Sequence, residues 1–368
     1  MRQGMAAFFR TRTFKALLYL VYMFIILEGA SRFILYSDKT YTVVTGDKDS
    51  SSWRVRWLKR HRDSKVNIFY GFDVHSSSRG WALKPLIRNM AVFGEKIRTG
   101  RKYLNSNSKG IRGKREYAYQ RVPGKKRIVV IGDSFTFGDG VSDDETYSAY
   151  LEKLLDNTEV INMGVHGYGH DQMLIYLTEE GLKYSPDIVI LGFVEADMSR
   201  NLFYFKDFAK PLFVLKNGRL SLTHTPVASP EEYLKREKFR LKILDMIHIF
   251  RQNILWKNGS NEKYKNELSR ALLEKIVSAV KNSGAVPVFV YLPTPYDVFS
   301  PLPMINGETF FEDICSDNNI LSLSLRKYFI RMSRRYGFPT HGHWDPKEHL
   351  MAAEQIKALL AGSGLLNP

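Results

Sequence analysis

At 368 residues the chain is long enough for one large domain with additions or for two ordinary domains. Hydrophobic content of 44% and charged content of 25% exclude a wholly disordered chain, and the single cysteine, Cys315, excludes an intramolecular disulfide and a four-thiolate zinc site. The net charge of +16 favours an anionic neighbour, which can be nucleic acid, a membrane surface or an acidic polysaccharide.

The chain opens on "MRQGMAAFFRTRTFKALLYLVYMFIILEGASRFILY", where Arg2, Arg10, Arg12 and Lys15 precede twelve apolar residues, Ala16 to Leu27. Twelve is short of the ~20 that span a bilayer. Apolar character resumes at Phe33-Ile34-Leu35, and Glu28 and Arg32 stand four apart, acid first, as a helical ion pair that an interface can carry. Two readings stay open. A cleaved signal peptide wants small residues at its cleavage site, and Glu28 stands two before Ala30, so an uncleaved anchor over residues 14–36 is the expectation. Residues 1–13 then form a basic cytoplasmic segment. By the positive-inside rule the remainder faces outward from a bacterial inner membrane, toward the periplasm or exterior.

Residues 37–125 are polar with short apolar runs, and read as a small, irregular, β-containing extension packed on a main domain. Residues 101–127 hold ten Lys or Arg against one acid, Glu116. No helix-turn-helix, zinc finger or RNP-like pattern accompanies them, so nucleic acid is not expected as a partner, and a solvated basic face accounts for them equally well. From 126 the pattern changes. RIVVIG (127–132) predicts a strand buried on both faces, Ser142-Asp-Asp-Glu145 a capping box, and TYSAYLEKLL an amphipathic helix. EVINMG, a helix over HDQMLIYLTEEGLKY and DIVILGF follow. This alternation predicts a parallel, doubly wound sheet.

Residues 198–262 interrupt it with a hairpin turning at Asn217-Gly218 and a long basic helix from about Pro230 to Trp256. The segment reads as an insertion, either a lid beside an active site or a decorated edge. A helix over 264–283, the strand VPVFVYL and a helix from Pro346 complete the domain, expected to end near residue 362.

Ligands of such sheets bind beyond the carboxyl ends of the strands. That gathers Gly132-Asp133-Ser134, the loop from Asn162 to Gly167, and the stretch from Val194 to Asp197. A serine directly after a core strand can present its hydroxyl to the pocket while its own N–H helps to bind an oxyanion. An Asp-Ser pair after a strand can equally be a plain turn or helix cap.

The blocks "RIVVIGDSFTFGDGV", "VINMGVHGYGHDQ", "SPDIVILGF" with the following Asp197, Arg200 and Asn201, and "HGHWDPKEHLMAA" resemble the GDSL/SGNH hydrolases, in particular the membrane-anchored bacterial group with a GDSFTFG block. The upstream runs "GWALKP" and "LNSNSKGIRGKREY" also look like segments that precede the hydrolase domain in that group. The resemblance implies a flavodoxin-like α/β/α sandwich over 126–362 and serine-dependent hydrolysis or transfer of acyl esters, without cofactor or metal. It matches Ser134 to the nucleophile, His343 to the general base, and Gly167, rather than Gly164, to an oxyanion donor beside the N–H of Ser134.

Two positions depart from the family. Ala196 stands where an asparagine normally adds an oxyanion hydrogen bond, and Asn201 is too far along the chain to be assumed its substitute. The acid usually two or three residues before the histidine is replaced by Thr340 and His341. Asp345 reads as the N-cap of the last helix, with Pro346 at its first position and Glu348 at its third, rather than as that acid. His349 is the alternative base, with a structural role as its plainer reading. His341, His343, Asp345 and His349 are close enough to suggest a metal, but the cap and the intervening glycine argue against one. His166, His170 and His224 read as surface or pocket-lining residues. The resemblance implies O-acyl, chiefly O-acetyl, esters of cell-surface or secreted carbohydrate as substrate. The alternative is a pseudoenzyme that binds carbohydrate or assists assembly. Oligomeric state is not legible.

Overall fold

The computed structural model describes residues 12–46, 48–61, 71–92, 102–339 and 342–366. The chain divides into two compact units, Met1–Ile68 with Ser229–Glu262, and Phe69–Ala228 with Lys263–Pro368.

The first unit is helical: α1 Arg12–Tyr36, α2 Asp38–Thr45, α3 Ser50–His61, α4 Pro230–Glu237 and α5 Lys242–Lys257. With 25 residues, α1 is long and apolar enough to cross a membrane or to be a signal sequence. Its side chains from Leu17 to Leu27 are all exposed. The ion pair read from the sequence is present, with Arg32 Nε 2.7 Å from Glu28 Oε1.

Glu28 also accepts the N–H groups of Lys242 and Ile243 at 3.0 and 2.9 Å. Leu241 in the N-cap position offers no capping side chain, so this distant carboxylate satisfies the first turn of α5 instead. The single basic helix expected from Pro230 to Trp256 is therefore two, broken between Glu237 and Lys242. Buried Arg54 on α3 bonds both Glu237 and Asp245, and Lys242 Nζ lies 2.9 Å from Glu237. These charges, with a small core of Leu35, Tyr41, Val55, Met246 and Ile249, group 229–262 with α1–α3. Residues 198–228, read from sequence as part of the same insertion, belong to the other unit.

The second unit is built on a five-stranded sheet whose neighbouring pairs are all parallel: β1 Lys126–Gly132, β2 Thr158–Gly164, β3 Ile188–Phe193, β4 Val286–Tyr291 and β5 Leu321–Ser324. Their spatial order is β5-β4-β3-β1-β2. This is the flavodoxin-like order, which reverses direction between β1 and β3 and opens a crevice at their carboxyl ends.

A parallel sheet must be covered on both faces, and the strands read accordingly. Ile128, Val130, Ile188, Ile190, Val288 and Val290 pack into one cluster with residues of helices 147–154, 326–336 and 346–362. Alternate residues Val129, Ile131, Val189, Leu191 and Phe289 are equally buried and lie outside that cluster, on the opposite face. Helices 170–179 and 260–282 connect β2 to β3 and β3 to β4, and bury Met173, Leu177, Leu272 and Ile276. The strand β5 is four residues of alternating Leu and Ser, too short and too polar to stand out in the sequence.

The hairpin Leu212–Lys216 with Arg219–Thr223 turns at Asn217-Gly218 as its sequence predicts, both residues having positive φ. Ser142 and Glu145 form the capping box, but on a one-turn 3-10 helix, and Thr146 caps the α-helix that follows.

Candidate active site

Three glycines at the carboxyl ends of neighbouring strands make room for the Ser134 turn. A Cβ on Gly132 would lie 2.0 Å from Thr136 Oγ1, one on Gly192 2.4 Å from the same atom, and one on Gly164 2.3 Å from Phe137 N. The short helix Ser134–Phe137 thus sinks onto the ends of β1, β2 and β3, with Thr136 bonded to Tyr147 Oη at 2.9 Å. Asp133 is its N-cap and accepts the Phe135 N–H at 3.0 Å. At the other end, buried Arg112 donates to the carbonyls of Phe137, Gly138 and Val141 and pairs with Asp143 at 3.2 Å. Ser134 is in this way held at the β1–β3 crevice from both sides.

The C-terminal block brings His343 to the serine: Nε2 lies 2.7 Å from Ser134 Oγ. Trp344 fixes that segment, being buried with its indole N–H donated to the Pro293 carbonyl at 2.9 Å. Phe135 packs between the two, its ring centroid 4.9 Å from His343 and 5.3 Å from Trp344. Asp139 Oδ2 stands 3.9 Å from His343 Nε2, the same nitrogen that faces the serine, so it can support an imidazolium electrostatically but cannot orient the ring through Nδ1. Thr340 and His341, where the family's acid is expected, lie outside the described residues. Among the described residues no carboxylate bonds Nδ1.

A buried charge cluster underlies the turn. Arg200 donates to Asp133 Oδ2 at 2.9 Å, to the Tyr168 carbonyl at 3.1 Å, and to Asp197 Oδ1. One guanidinium thus serves two carboxyl groups. Burial first, then the charge of Asp133, push Asp197 well above the usual carboxylate range despite Arg200. Burial works against the charge of Arg200, but Asp197 and Asp133 outweigh it and raise its pKa.

Gly167 has φ +73, where glycine is favoured, in the loop after β2, and a Cβ there would meet Asp207 and Trp81 at 3.3 Å. Trp81 donates its indole N–H to the His166 carbonyl at 3.0 Å, so the GWALKP run buttresses this loop. Gly164 is occupied with the approach of Phe137 described above. Ala196 is exposed on the helix Glu195–Arg200 and carries no donor. Asn201 does not replace it: its buried amide nitrogen meets His170 Nδ1 at 3.1 Å and donates to Ser269 Oγ at 3.0 Å.

His349 is structural. It is buried, its Nδ1 accepts the Tyr147 N–H at 3.2 Å, and burial, with Arg112 and His343 nearby, pushes its pKa down to about 3. Asp345 takes the N-cap of Pro346–Gly362 and its N–H is accepted by Glu348 at 2.9 Å. His224 is exposed and stacked on Tyr204. His170 departs from the surface or pocket-lining reading: it is fully buried against Phe193, and burial followed by Arg200 lowers its pKa to about 3. His166 pairs with Asp73 at 2.7 Å. Burial disfavours its charge, but Asp73 outweighs this and brings its pKa up to about 9. Among the described residues no group of three or more His, Cys, Asp or Glu is arranged to hold a metal.

Asp139, Arg112 and Trp81 were not singled out by sequence reasoning, although all three lie inside the runs that carried the resemblance.

No family model and no curated protein matches the chain. Solved structures similar to it include TesA, 12% identical, covering 64% of this chain and 99% of that one with a TM-score of 0.40. The acetylxylan esterase Axe2 from Geobacillus stearothermophilus is 14% identical, covering 64% and 94% with a TM-score of 0.40. The psychrotrophic esterase EstA from Pseudoalteromonas sp. is 10% identical, covering 65% and 98% with a TM-score of 0.39. Identities and TM-scores this low leave the function to be argued from the residues themselves.

Proposed function

We propose that this chain is a membrane-anchored GDSL/SGNH-type acyl-ester hydrolase or transferase with Ser134 as nucleophile and His343 as general base. The observation that carries the reading is the 2.7 Å contact between Ser134 Oγ and His343 Nε2 at the carboxyl-end crevice of a flavodoxin-like sheet. Ser134 Oγ attacks the acyl carbonyl and its proton passes to His343 Nε2. The N–H groups of Ser134 and Gly167 hold the oxyanion. His343 returns the proton to the leaving alcohol, and the acyl group stays on Ser134. Water then releases it as the acid, or a sugar hydroxyl takes it as a new ester. Asp139, 3.9 Å from His343 Nε2, faces the imidazolium that forms.

O-acetyl esters of cell-surface or secreted carbohydrate are the proposed substrate. The apolar helix α1 is the proposed anchor in a bacterial inner membrane, with the basic residues before it inside and the sheet unit in the periplasm or outside. The test is turnover of p-nitrophenyl acetate by the full chain in detergent, with a disaccharide added as acceptor. Acetate release abolished by Ser134→Ala and by His343→Ala supports an esterase, and sugar-dependent turnover supports a transferase. Turnover that survives in Ser134→Ala overturns the assignment.

Ala196 favours a second reading, a carbohydrate-binding pseudoenzyme on the same fold. It predicts saturable binding of acetylated oligosaccharide with no turnover by any ester.

A further inference from the structure

Helix α5 buries charge in its first turns and exposes an apolar stripe along its length, an arrangement ill suited to water. A water-facing amphipathic helix turns its charges outward and its apolar stripe inward. Here Lys242 and Asp245 are 1% and 0% exposed, held in the cluster around Arg54, while Leu244, Ile247, Phe250 and Ile254 are 54%, 58%, 54% and 61% exposed. Spacings of three, three and four put these four on one stripe. Phe239, just before the helix, is 88% exposed.

The position of this stripe along α1 says what covers it. The twelve apolar residues from Ala16 to Leu27 rise ~18 Å against a hydrocarbon core of ~30 Å. A spanning α1 therefore carries Glu28 and Arg32 into the outer part of the bilayer. Glu28 is where α5 attaches, through the N–H groups of Lys242 and Ile243. The first turn of α5 thus stands level with Glu28, and further along Met246 and Ile249 pack with Leu35. The α5 stripe and Phe33 of α1 are both exposed, as is the apolar run of α1 from Leu17 to Leu27. Arg251 and Lys257, also outward, fall in the later half of α5 beside Trp256, an arrangement suited to anionic headgroups.

We infer that the α5 face of Leu244, Ile247, Phe250 and Ile254, with Phe239 at its start, is immersed in the lipid surface beside α1. This rests on the reading of α1 as a membrane span. The start of α5, level with Glu28, lies deepest, and the stripe rises from there along α1 toward the headgroups. The helix supplies the N–H groups that make a carboxylate tolerable there.

The test uses the full chain in vesicles of phosphatidylcholine with phosphatidylglycerol, in a Cys315→Ala background. Ile247→Cys and Phe250→Cys each carry an environment-sensitive fluorophore, and lipids with a doxyl group on the acyl chain act as quenchers. Ile25→Cys on α1 and Tyr296→Cys on the sheet unit serve as references, and all four side chains are exposed. The expected result is loss of emission at 25, 247 and 250 and none at 296. Loss at 25 without loss at 247 and 250 overturns the inference and leaves the span standing. A blue shift at 250 without lipid quenching means that protein, such as a second copy of the chain, covers the face, and also overturns it. No loss at 25 removes the span, and the inference with it.

Discussion

Replacing Asp197 by asparagine should stabilise the sheet unit, and by more as the pH rises. Asp197 is fully buried beside Asp133, with one guanidinium serving both, and its carboxyl is pushed well above the usual range. In the unfolded chain it titrates near 3.9. Between that value and its folded value the native state holds a proton that the unfolded state has released. Stability is then greatest at low pH for this group, and falls as the pH rises through the window. Within that window the slope is about 1.4 kcal/mol per pH unit, a loss that an asparagine would not show. Asparagine has nearly the shape of the protonated acid, and Arg200 keeps its bond to Asp133. Amide hydrogen exchange in β1 and β3 peptides, read by mass spectrometry at pH 5, 6 and 7, compares the two chains at each pH. Asp197→Asn should show protection that grows relative to the native chain across the series. A constant difference would mean that Asp197 is ionised in the fold, and would refute the argument.

Removing Arg112 as Arg112→Met strips three buried carbonyls of their donor and leaves Asp143 its bonds to Asn105 but no cation, at a cost of about 3–5 kcal/mol, and Arg112→Lys recovers only part of it. Thermal unfolding of both variants measures this. The raised pKa of His166, about 9, stabilises the fold fully below its unfolded value near 6.5, and this contribution is lost as the pH rises through 9. Melting temperature followed from pH 6 to 10 should show that loss, and Asp73→Asn should remove it. Ala196→Asn restores the donor that the family carries at this position, and such donors are worth roughly 10²–10³ in rate. An increase in kcat of at least about tenfold is expected, and an unchanged kcat would mean that residue 196 does not face the oxyanion.

What the sequence revealed depended on range. RIVVIG, EVINMG and DIVILGF were legible as buried parallel strands because nearly every side chain in them is apolar, as a sheet covered on both faces requires. The capping residues Asp345 and Glu348 were legible because caps act within four residues. The hairpin at Asn217-Gly218 was legible for the same local reason. The break between Glu237 and Lys242 was not, because the carboxylate that caps α5 lies 214 residues away in α1. The fate of residues 229–262 was hidden likewise, since Arg54 reaches Glu237 across 183 residues. In the candidate site, family blocks pointed to Ser134, Gly167 and His343, whereas the support of the serine turn by Arg200 and Arg112 is a matter of tertiary contact. Fully buried His170 shows the limit of reading single polar residues, because its partner Asn201 lies 31 positions on.

The central claim is that Ser134 is a nucleophile activated by His343. The most direct measurement is intact-mass and peptide analysis of the full chain after reaction with a p-nitrophenyl alkylphosphonate, an acyl-ester mimic whose phosphorus stays on the attacking oxygen as p-nitrophenolate leaves. The account predicts one adduct per chain, mapped to Ser134, absent in Ser134→Ala and formed far more slowly in His343→Ala. An adduct on another residue, or equal labelling with and without His343, would contradict it.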